Sequence, residues 1–262
     1  VRRFDENRGF CGAVNEGIRM TTSKYVILLN NDTICDSSFV EQLVAAMEQE
    51  PACFAGSSRM VQMQDPSKMD NCGDFYCALG WAFTPGKGKR AVLYDRPREV
   101  FSACAGAAIY RRCIFDEIGG FDEAHFAYLE DVDVCWRAKI AGYRSIYIPD
   151  AVVRHVGSAT SGSIYNEFKV RHSSRNSIYL IYKNMPFLQI VLNVPFLIIG
   201  FTVKALFFVK KGLGATYAKG LIRGVKMCRK ESKVRFHWKN LKNYGKIQLE
   251  LWLNLIRRVK DF

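Results

Sequence analysis

The sequence lacks the short motifs that identify several common classes of protein. It contains nine cysteines but no Cys-x-x-Cys pair, which disfavours a zinc ribbon and a dithiol redox centre. The glycines between Gly9 and Gly12 do not follow the Gly-x-Gly-x-x-Gly spacing with which a Rossmann dehydrogenase binds a pyrophosphate. A repeat of fixed period is also absent.

The first residues lack a leader sequence. The segment Val1-Arg2-Arg3-Phe4-Asp5 has no initiator methionine, no apolar signal-peptide core and no leading strand. We therefore expect the sequence to begin inside a domain. The cysteines are scattered through apolar and helical stretches, and Cys72 and Cys77 are the closest pair. This pattern predicts reduced, buried thiols in a cytosolic compartment.

Acidic residues are scarce in the last part of the chain. Residues 183–262 contain 17 lysines and arginines but 3 acidic residues, whereas residues 1–182 are nearly neutral. We therefore predict an α/β domain over residues 1–182 and a basic helical tail over residues 183–262. Such asymmetry favours a polyanionic partner, either nucleic acid or an anionic lipid surface.

The apolar character of the tail favours the lipid surface. Phe187 to Val203 is almost uniformly apolar, although Asn193, Pro195 and Gly200 interrupt it. A stretch of this length is at the lower limit for a membrane span. Because the basic residues that follow are mixed with apolar ones, we predict helices that lie on, or insert shallowly into, the cytoplasmic face of the cell membrane. An anionic membrane surface is therefore the expected partner, and nucleic acid is not.

The first 182 residues follow the pattern of an α/β protein, in which helices alternate with buried strands. Residues 56–98 are loop-rich, and Pro149 is expected to end a strand. The helix from Glu130 should stop at Gly142. The expected elements are a helix at 11–20, a strand at 24–29, a helix to Gln49, a strand at 107–110, a helix at 130–142, and short strands at 145–148 and 152–155.

Two polar groups follow predicted strands. Asn30-Asn31-Asp32 comes directly after the buried strand at 24–29, and His155 ends the last one. Ligands of open α/β sheets bind at the carboxyl ends of strands, where a carboxylate with flanking amides can hold Mg²⁺ or ribose hydroxyls. The alternatives are an Asx turn that caps the strand and a histidine with a structural role.

A third polar group is Glu130-Asp131-Val132-Asp133, which places three carboxylates at the start of a helix. The simple interpretation is compensation of the helix dipole. However, the cluster follows the apolar run Phe126-Ala127-Tyr128-Leu129, which favours a partly desolvated cleft. Crowded carboxylates raise one another's pKa, and a raised pKa suits a general base. We therefore favour a catalytic role.

Taken together, these segments resemble the inverting, metal-dependent family 2 glycosyltransferases of the GT-A fold, in particular their rhamnosyltransferase-like branch. No single segment decides the resemblance, but all five occur in the expected order. The matching segments are Asn7-Arg8-Gly9-Phe10-Cys11-Gly12-Ala13-Val14-Asn15-Glu16-Gly17, Leu28-Leu29-Asn30-Asn31-Asp32, Gly119-Gly120-Phe121-Asp122-Glu123 with Glu130-Asp131-Val132-Asp133-Val134-Cys135-Trp136-Arg137, His155, and Arg175-Asn176 with Lys183-Asn184-Met185-Pro186.

The resemblance implies a mostly parallel sheet flanked by helices and a role in the synthesis of cell-envelope polysaccharide. A sugar would pass from a nucleoside-diphosphate sugar, such as deoxythymidine-diphosphate-rhamnose, to a hydroxyl of a cell-surface or lipid-linked glycan. Asp131, with Glu130 beside it, would be catalytic, and Asp32 and His155 would hold a divalent Mg²⁺ or Mn²⁺ ion. The residues expected at the donor are Asn7, Gly9, Asn15, Asn31 and Asp32. Those expected on the acceptor side are Gly106, Gly120, Phe121, Asp122 and Asp133.

The sequence departs from the family pattern in two places. The first β-α-β unit, which carries much of the nucleotide-base pocket, is not found, so we expect a GT-A domain truncated at its N-terminus. Asn30 and Asn31 stand where many relatives have acidic residues, which puts the strength of metal binding in doubt. The Gln-x-x-Arg-Trp motif of processive synthases is also absent, which favours transfer of a single sugar. The alternative function is a catalytically inactive GT-A fold that serves as a membrane-docking scaffold.

Overall fold

The computed structural model describes residues 2–157 and 165–260. A mixed sheet forms the centre of the molecule, and a two-stranded hairpin lies beside it. The strands are β1 (Tyr25–Leu29), β2 (Thr33–Cys35), β3 (Cys53–Gln62), β4 (Met69–Asn71), β5 (Phe75–Cys77), β6 (Trp81–Phe83), β7 (Arg98–Val100), β8 (Ala107–Arg111) and β9 (Arg144–His155).

Helices cover the sheet and continue to the end of the described chain. They are α1 (Gly9–Arg19), α2 (Phe39–Gln49), α3 (Arg112–Ile118), α4 (Glu130–Ala141), α5 (Glu167–Asn184), α6 (Phe187–Lys210), α7 (Gly214–Met227) and α8 (Leu241–Lys260). The predicted α/β class is confirmed, and so is the helix that Gly142 stops. Gly142 has a φ of 102° and donates its N–H to the carbonyls of Ala138 and Lys139, a conformation that glycine adopts without strain.

The prediction of a mostly parallel sheet is wrong for the described residues. The strand order is β1-β8-β3-β9-β2, with β4 beside β3 and β7 beside β9. Among these pairs β3 and β9 run parallel, and the others are antiparallel. The reason is that β8 returns between β1 and β3 in the opposite direction, whereas a parallel pair needs a long crossover. The segment from β3 to β9 contains α3 and α4 and supplies such a crossover.

Pro149 does not end a strand, contrary to prediction. β9 pairs with β3 on both sides of it, and the register shifts between the pairs Ser58–Ile148 and Arg59–Val152. The three intervening residues bulge out of the ladder, where a proline removes no ladder hydrogen bond. The strand therefore continues and carries His155 to the edge of the sheet. No strand was predicted within residues 56–98, where β4, β5, β6 and most of β3 lie. β3 pairs with the distant β8 and β9, whereas β5 and β6 form a local hairpin of three-residue strands.

The core is continuous from the sheet into the last helix. On α4, the buried side chain of Trp136 packs edge-on against Tyr76 and Phe101. On α8, the buried Leu251 joins the same apolar cluster, and the amide of Asn254 donates to the carbonyl of Tyr76 at 2.8 Å. The proposed division after residue 182 falls inside α5. Part of the basic tail thus packs as an integral piece of the α/β domain.

Helix α6 is long and apolar. It has 24 residues and a mean hydropathy of 2.1 over its best window, so by length and composition it could cross a membrane. The predicted interruptions at Asn193, Pro195 and Gly200 do not break it. The buried cysteines predicted from the sequence include Cys11, Cys53 and Cys135, whereas Cys113 is exposed.

Candidate active site

Four strand termini meet at one edge of the sheet: the ends of β1 and β9 and the starts of β2 and β8. Leu29 at the end of β1 pairs with Ala107 at the start of β8, and Thr33 of β2 pairs with His155 at the end of β9. The Asn30 N–H donates to the carbonyl of Gly106 at 2.8 Å. The polar run after β1 therefore lies between His155 and the loop before β8, as the strand-end argument predicts.

His155 and Asp32, the two predicted metal ligands, lie close together. The distance from His155 Nε2 to an oxygen of Asp32 is 3.3 Å. On the other side of the ring, Nδ1 lies 2.7 Å from a carboxylate oxygen of Asp70, and Asp70 is also paired with Lys87 at 2.7 Å. The hydrogen bond to Asp70 raises the pKa of His155, against the opposing effect of burial. Burial would raise the pKa of Asp70, but His155 and Lys87 together lower it.

This arrangement fits a divalent cation. When Nδ1–H donates to Asp70, the lone pair of Nε2 points toward Asp32, and a carboxylate behind a histidine is a common way to orient a ligating imidazole. One carboxylate oxygen and one imidazole nitrogen would leave further positions for water and phosphate oxygens, as Mg²⁺ and Mn²⁺ sites with phosphate ligands require.

Asp131 lies in the first turn of α4, on the side that faces the loop before β8. We call this side of the turn, which bears Asp131 and Asp74, the cleft. One of its oxygens accepts the N–H of Val132 at 2.8 Å, and the other accepts the N–H of Ala105 at 3.4 Å. Ala105 precedes Gly106, whose carbonyl accepts the N–H of Asn30. A two-residue loop thus connects the candidate base to the polar run after β1.

A second carboxylate faces Asp131. Single ligand atoms of Asp74, Cys104 and Asp131 all lie within 4.8 Å of one another. Asp74 is held in place by hydrogen bonds from the hydroxyl of Thr84 and the amide of Asn71. Burial, followed by the charge of Asp74, raises the pKa of Asp131 to about 7. Burial likewise raises the pKa of Asp74. The pair therefore retains protons to a higher pH than isolated carboxylates do.

Glu130, the other predicted catalytic residue, is almost buried at 8% exposure. Its Oε2 atom accepts no hydrogen bond from the described residues. Burial, followed by the charge of Asp131, raises its pKa. A neutral Glu130 next to Asp131 avoids placing two adjacent charges in the same desolvated turn.

Comparison with known proteins identifies the family of the chain. Residues 1–177 match the model of the family described as glycosyltransferase like family 2, which covers more than half of the chain. The chain belongs to glycosyltransferase family 2.

The relatives of this family 2 chain include rhamnosyltransferases. It is 38% identical over 169 residues to an N-acetylglucosaminyl-diphospho-decaprenol L-rhamnosyltransferase of Mycobacterium tuberculosis, an alignment that covers 60% of this chain and 54% of the relative. The chain thus spans about half the length of that relative. It is 24% identical over 193 residues to rhamnosyltransferase WbbL of Escherichia coli, covering 71% and 72% of the two chains.

The fold is shared with solved GT-A structures. The structure described as GalNAc-T7 with UDP, GalNAc and Mn²⁺ superposes with a TM-score of 0.53 at 14% identity, covering 69% of this chain and 36% of that one. At this identity the likeness shows the fold alone. The recognition of a family 2, rhamnosyltransferase-like sequence is confirmed by these comparisons.

Two predicted acceptor-side carboxylates of the family 2 chain, the buried Asp133 and the partly buried Asp122, pair with the same lysine. Asp133 has no exposed surface. Its oxygens accept hydrogen bonds from Arg137 at 3.0 Å, Lys183 at 2.8 Å and Asn184 at 2.9 Å. Lys183 also donates to Asp122 at 2.6 Å. Against the effect of burial, the charges of Arg137 and Lys183 lower the pKa of Asp133. We therefore assign Asp122 and Asp133 to an internal ion-pair network and not to acceptor contact.

Two further predicted residues also serve the fold. The amide of Asn15 donates to the carbonyl of Phe121 at 2.7 Å and accepts the Phe121 N–H at 2.8 Å. Its side chain ties α1 to the loop that contains Gly120, where a Cβ would come within 2.6 Å of Asn15 Oδ1. The ring of Phe121 is buried among aromatic side chains. Asn15 and Phe121 are therefore committed to packing within the protein.

The remaining donor residues are placed differently. Asn7 is exposed and accepts the N–H of Gly9 at 2.8 Å. Gly9 has a φ of 70°, and a Cβ there would collide with Phe126, so the position requires glycine. Asn31 is exposed in the turn that contains Asp32. Asn31 and Asp32 thus remain available to a ligand at the strand edge.

Asp70 and Asp74 were not predicted from the sequence, although they connect the Asp32–His155 pair with Asp131. Asp70 contacts His155 and Asp74 faces Asp131, so a five-residue segment reaches both the candidate metal ligands and the candidate base. A usable signal existed, because a short strand, β4, leads into a polar run that contains a glycine, as β1 leads into Asn30-Asn31-Asp32. The weakness of the three-residue strand concealed it.

Proposed function

We propose that this chain catalyses the inverting transfer of a sugar from a nucleoside-diphosphate sugar to a hydroxyl group of an acceptor glycan. The observation that supports this most directly is the environment of Asp131. It is a partly buried carboxylate with a raised pKa, at the start of a helix, beside the strand edge where Asp32 and His155 lie. A general base works best when its pKa is near the working pH.

The chemistry assigned to Asp131 is a single proton transfer. The acceptor oxygen attacks the anomeric carbon from the face opposite the diphosphate, and the bond from that carbon to the diphosphate oxygen breaks. The hydroxyl proton passes to the Asp131 carboxylate. One displacement inverts the anomeric configuration, as in inverting glycosidases with a sugar hydroxyl in place of water.

We assign Asp32 and His155 to a divalent cation. Such an ion would act as a Lewis acid for the negative charge on the departing diphosphate. Asp70 fixes the ring of His155 so that Nε2 is presented on the side of Asp32. Asn7, Gly9 and Asn31 are candidates for donor contacts. Gly106 stays a predicted acceptor-side residue, whereas the space beside Gly120 is filled by Asn15.

The relatives suggest the substrates. The names of the mycobacterial and Escherichia coli proteins describe rhamnosyltransferases, and the first name describes a diphospho-decaprenol acceptor. We therefore propose deoxythymidine-diphosphate-rhamnose as the donor and a lipid-linked glycan as the acceptor. An acceptor of this kind would be reached from the membrane surface.

Helix α6 supports a membrane location, because its polarity is inverted relative to a helix of a water-soluble domain. Its buried side includes Gln189 and Asn193, which bond Tyr244 and Gln248 of α8. Its exposed side carries Leu188 at 68%, Ile198 at 62% and Leu206 at 66% exposure. An exposed apolar face of this size is typical of a surface that contacts a membrane or another protein, and the basic charge of the tail favours anionic lipid.

The contacts of α6 favour a helix that lies in the membrane interface. It touches the domain near its start through Gln189, in its middle through Gly200, whose carbonyl accepts the Trp81 indole N–H, and near its end through Phe208, which stacks on Tyr217. Contacts near the start, the middle and the end of α6 favour a helix that stays against the rest of the protein over one that crosses the bilayer apart from it. We therefore propose peripheral or shallow attachment at the cytoplasmic face, with the exposed face of α6 turned to the lipid.

A transfer assay tests the catalytic proposal. The wild-type protein should release deoxythymidine diphosphate from deoxythymidine-diphosphate-rhamnose in the presence of a lipid-linked glycan, Mn²⁺ and anionic vesicles. Asp131→Asn should reduce turnover by at least about 1,000-fold, since it removes the base and mutations of such groups cost this order. Asp116→Asn on the exposed side of α3 is the matched control and should leave turnover unchanged. Wild-type turnover in Asp131→Asn would remove Asp131 from the base role.

The same preparations test the membrane surface. Wild-type protein should float with vesicles that contain phosphatidylglycerol and less with vesicles of pure phosphatidylcholine. Leu206→Asp should reduce flotation, whereas Val40→Asp, which changes an exposed residue on α2, should not. Extraction by alkaline carbonate should release the protein from vesicles. Retention after carbonate treatment would show that α6 spans the bilayer.

A further inference from the structure

The turn that leads into α4, the helix that carries Asp131, has an unusual backbone. Phe126, Tyr128 and Leu129 have φ values of 62°, 72° and 66°, and they are the non-glycine residues with positive φ among the described parts of the chain. Non-glycine residues in this region cost roughly 1 kcal/mol or more each. All three lie within the four residues that precede Glu130. The surrounding structure must therefore compel this conformation.

Two neighbouring residues of α5 hold the turn. The side-chain amide of Asn176 donates to the carbonyls of His125, Ala127 and Tyr128 at 3.0, 2.8 and 2.7 Å. Asn176 has no exposed surface. In a buried position, an amide bonded to three carbonyl groups of one turn restricts the rotation of their peptide planes.

Arg175 fixes the direction of that amide. Its Nε donates to Asn176 Oδ1 at 2.9 Å, so the amide nitrogen of Asn176 is the end that faces the turn. The same guanidinium donates through Nη2 to the carbonyls of Ala124 and His125 at 3.1 and 2.7 Å. Arg175 and Asn176 together therefore bond four carbonyl groups of the segment 124–128.

We propose that Asn176, oriented by Arg175, is a positioning residue for transfer, which holds Phe126, Tyr128 and Leu129 at positive φ and thereby sets the direction of the Asp131 carboxylate. The proposal rests on the function assigned to Asp131 above. The connection is short. Leu129 accepts the first backbone bond of α4, from the Asp133 N–H at 2.9 Å, so a rotation of this peptide turns the helix start that carries Asp131.

Packing alone does not explain these contacts. Leu129 caps α4 without a side-chain hydrogen bond, although a polar residue in an ordinary extended conformation would cap a helix at lower free energy. The sequence instead keeps a strained approach and a buried amide that restrains it. Strain of this kind persists where the surroundings over-determine the backbone, and it concentrates at functional sites.

The first test is Asn176→Ala in the transfer assay. We expect kcat to fall about 100-fold with the KM of the donor unchanged, because a displacement of the order of 1 Å at a reacting group has this effect. Ser177→Ala is the matched control, since Ser177 is a buried neighbour on the same helix whose hydroxyl donates to the carbonyl of Ser173 within that helix. It should retain wild-type kcat. A folded Asn176→Ala protein with wild-type kcat would overturn the proposal.

A rescue distinguishes positioning from general destabilisation. Glycine adopts positive φ without strain, so Leu129→Gly added to Asn176→Ala should recover at least about 10-fold in kcat. If Asn176 served only global stability, this second substitution would lower stability further and rescue nothing. Absence of rescue would therefore contradict the proposal. If Asn176→Ala does not fold, Arg175→Lys provides the test, since it keeps the charge and loses the bond to Asn176, and it should lower kcat about 10-fold.

A measurement without substrate separates this proposal from the proposed function. The backbone chemical shifts of Tyr128 and Leu129 report on φ, and in Asn176→Ala they should move away from left-handed values while those of α5 stay unchanged. Unchanged shifts at both residues would overturn the positioning role. If the wild-type protein transferred no sugar but Asn176→Ala still showed this shift change, the transfer reaction would be contradicted and the positioning of the turn by Asn176 would stand.

Discussion

Asp131 and Asp133 are two residues apart on the same turn of α4, yet their surroundings are opposite. Asp131 points to the cleft, where it meets the Asp74 carboxylate and its pKa is raised. Asp133 points to α5, where Lys183 and Arg137 surround it and its pKa is lowered. Both are aspartates at the start of one helix. The difference shows that the packed partner, and not the local sequence, decides which carboxylate is reactive and which is structural.

The two environments have opposite consequences for stability. A carboxylate that gains cations on folding stabilises the native state above its unfolded pKa. A carboxylate whose pKa is raised on folding is a burden to the native state once the unfolded chain has lost the proton. Asp133, on the α5 side of the turn, therefore stabilises the fold. Asp131, on the cleft side, lowers the free energy of unfolding near neutral pH. Three substitutions test this contrast.

The largest effect is expected for Asp133→Asn. It leaves Lys183 and Arg137 with one fewer charged partner in the interior, and removal of one member of a buried ion pair costs about 3 to 5 kcal/mol. We expect the free energy of unfolding in urea near neutral pH to fall by about 3 kcal/mol, since Asp122 still accepts from Lys183. Because the pKa of Asp133 is lowered on folding, the deficit should shrink as the pH falls below about 4.

The control for Asp133→Asn is Asp116→Asn, which breaks an exposed pair with Arg112 of 3.6 Å. Exposed pairs contribute about 0 to 1 kcal/mol, so this change should be nearly neutral. If the two substitutions lowered the free energy of unfolding by similar amounts, the ion pairs of Asp133 with Lys183 and Arg137 would not be a main source of stability.

An intermediate effect is expected for Asp74→Asn, which changes the cleft side. The amide oxygen can still accept from Thr84, but the negative charge that faces Asp131 is gone. Transfer by the wild-type protein should rise with pH through about 7 as Asp131 loses its proton. In Asp74→Asn this limb of the pH–rate profile should lie about 1 unit lower, because a neighbouring like charge raises a carboxyl pKa by about this amount or more.

Asp65→Asn is the matched control for Asp74→Asn, since Asp65 precedes β4 and pairs with the exposed Lys68 at 3.1 Å. Its pH–rate profile should coincide with that of the wild type. An unmoved limb in Asp74→Asn would show that Asp74 does not set the protonation of the base.

The contrast also explains how much could be predicted from the sequence. Helices α1, α2 and α4 and strands β1 and β8 follow from local periodicity and from turn residues such as Gly142, and the structure confirms them. The proximity of Asp32 and His155 also follows from the sequence, because the ends of neighbouring strands share one edge of the sheet, and the two side chains lie 3.3 Å apart. Asp133 and Asp122 resemble site residues in sequence, but Lys183 reaches them from 50 and 61 positions away. No local pattern contains that information.

The same reasoning applies to the elements that were misassigned. The antiparallel direction of most sheet pairs depends on β8 entering between β1 and β3, and the continuity of β9 past Pro149 depends on its pairing with β3. Asp70 and Asp74 become site residues because β4 joins the edge of β3. In the first two cases the deciding interaction is between segments distant in the chain, where propensity carries little weight. In the third, β3 and β4 are close in the chain, but a strand of three residues gives a weak local signal.

The smallest effect, and the most discriminating, is expected for the stability of Asp131→Asn. The pKa of Asp131 rises from 3.8 to about 7 on folding, so between these values the unfolded chain releases a proton that the native state retains, and stability falls with rising pH. The asparagine removes this penalty but also loses about 0.3 to 1 kcal/mol of interaction with the helix dipole. Its single amide oxygen, moreover, cannot accept the N–H groups of both Val132 and Ala105, and a buried donor left without its acceptor costs about 1 to 3 kcal/mol. The net gain should be about 1 kcal/mol, or a few degrees in Tm, at about pH 8 and should disappear near about pH 4. Calorimetry at the two pH values measures it. A variant that is both inactive and more stable at the higher pH would establish Asp131 as a residue kept for chemistry, whereas a loss of stability like that of Asp133→Asn would show that both faces of the turn serve the fold.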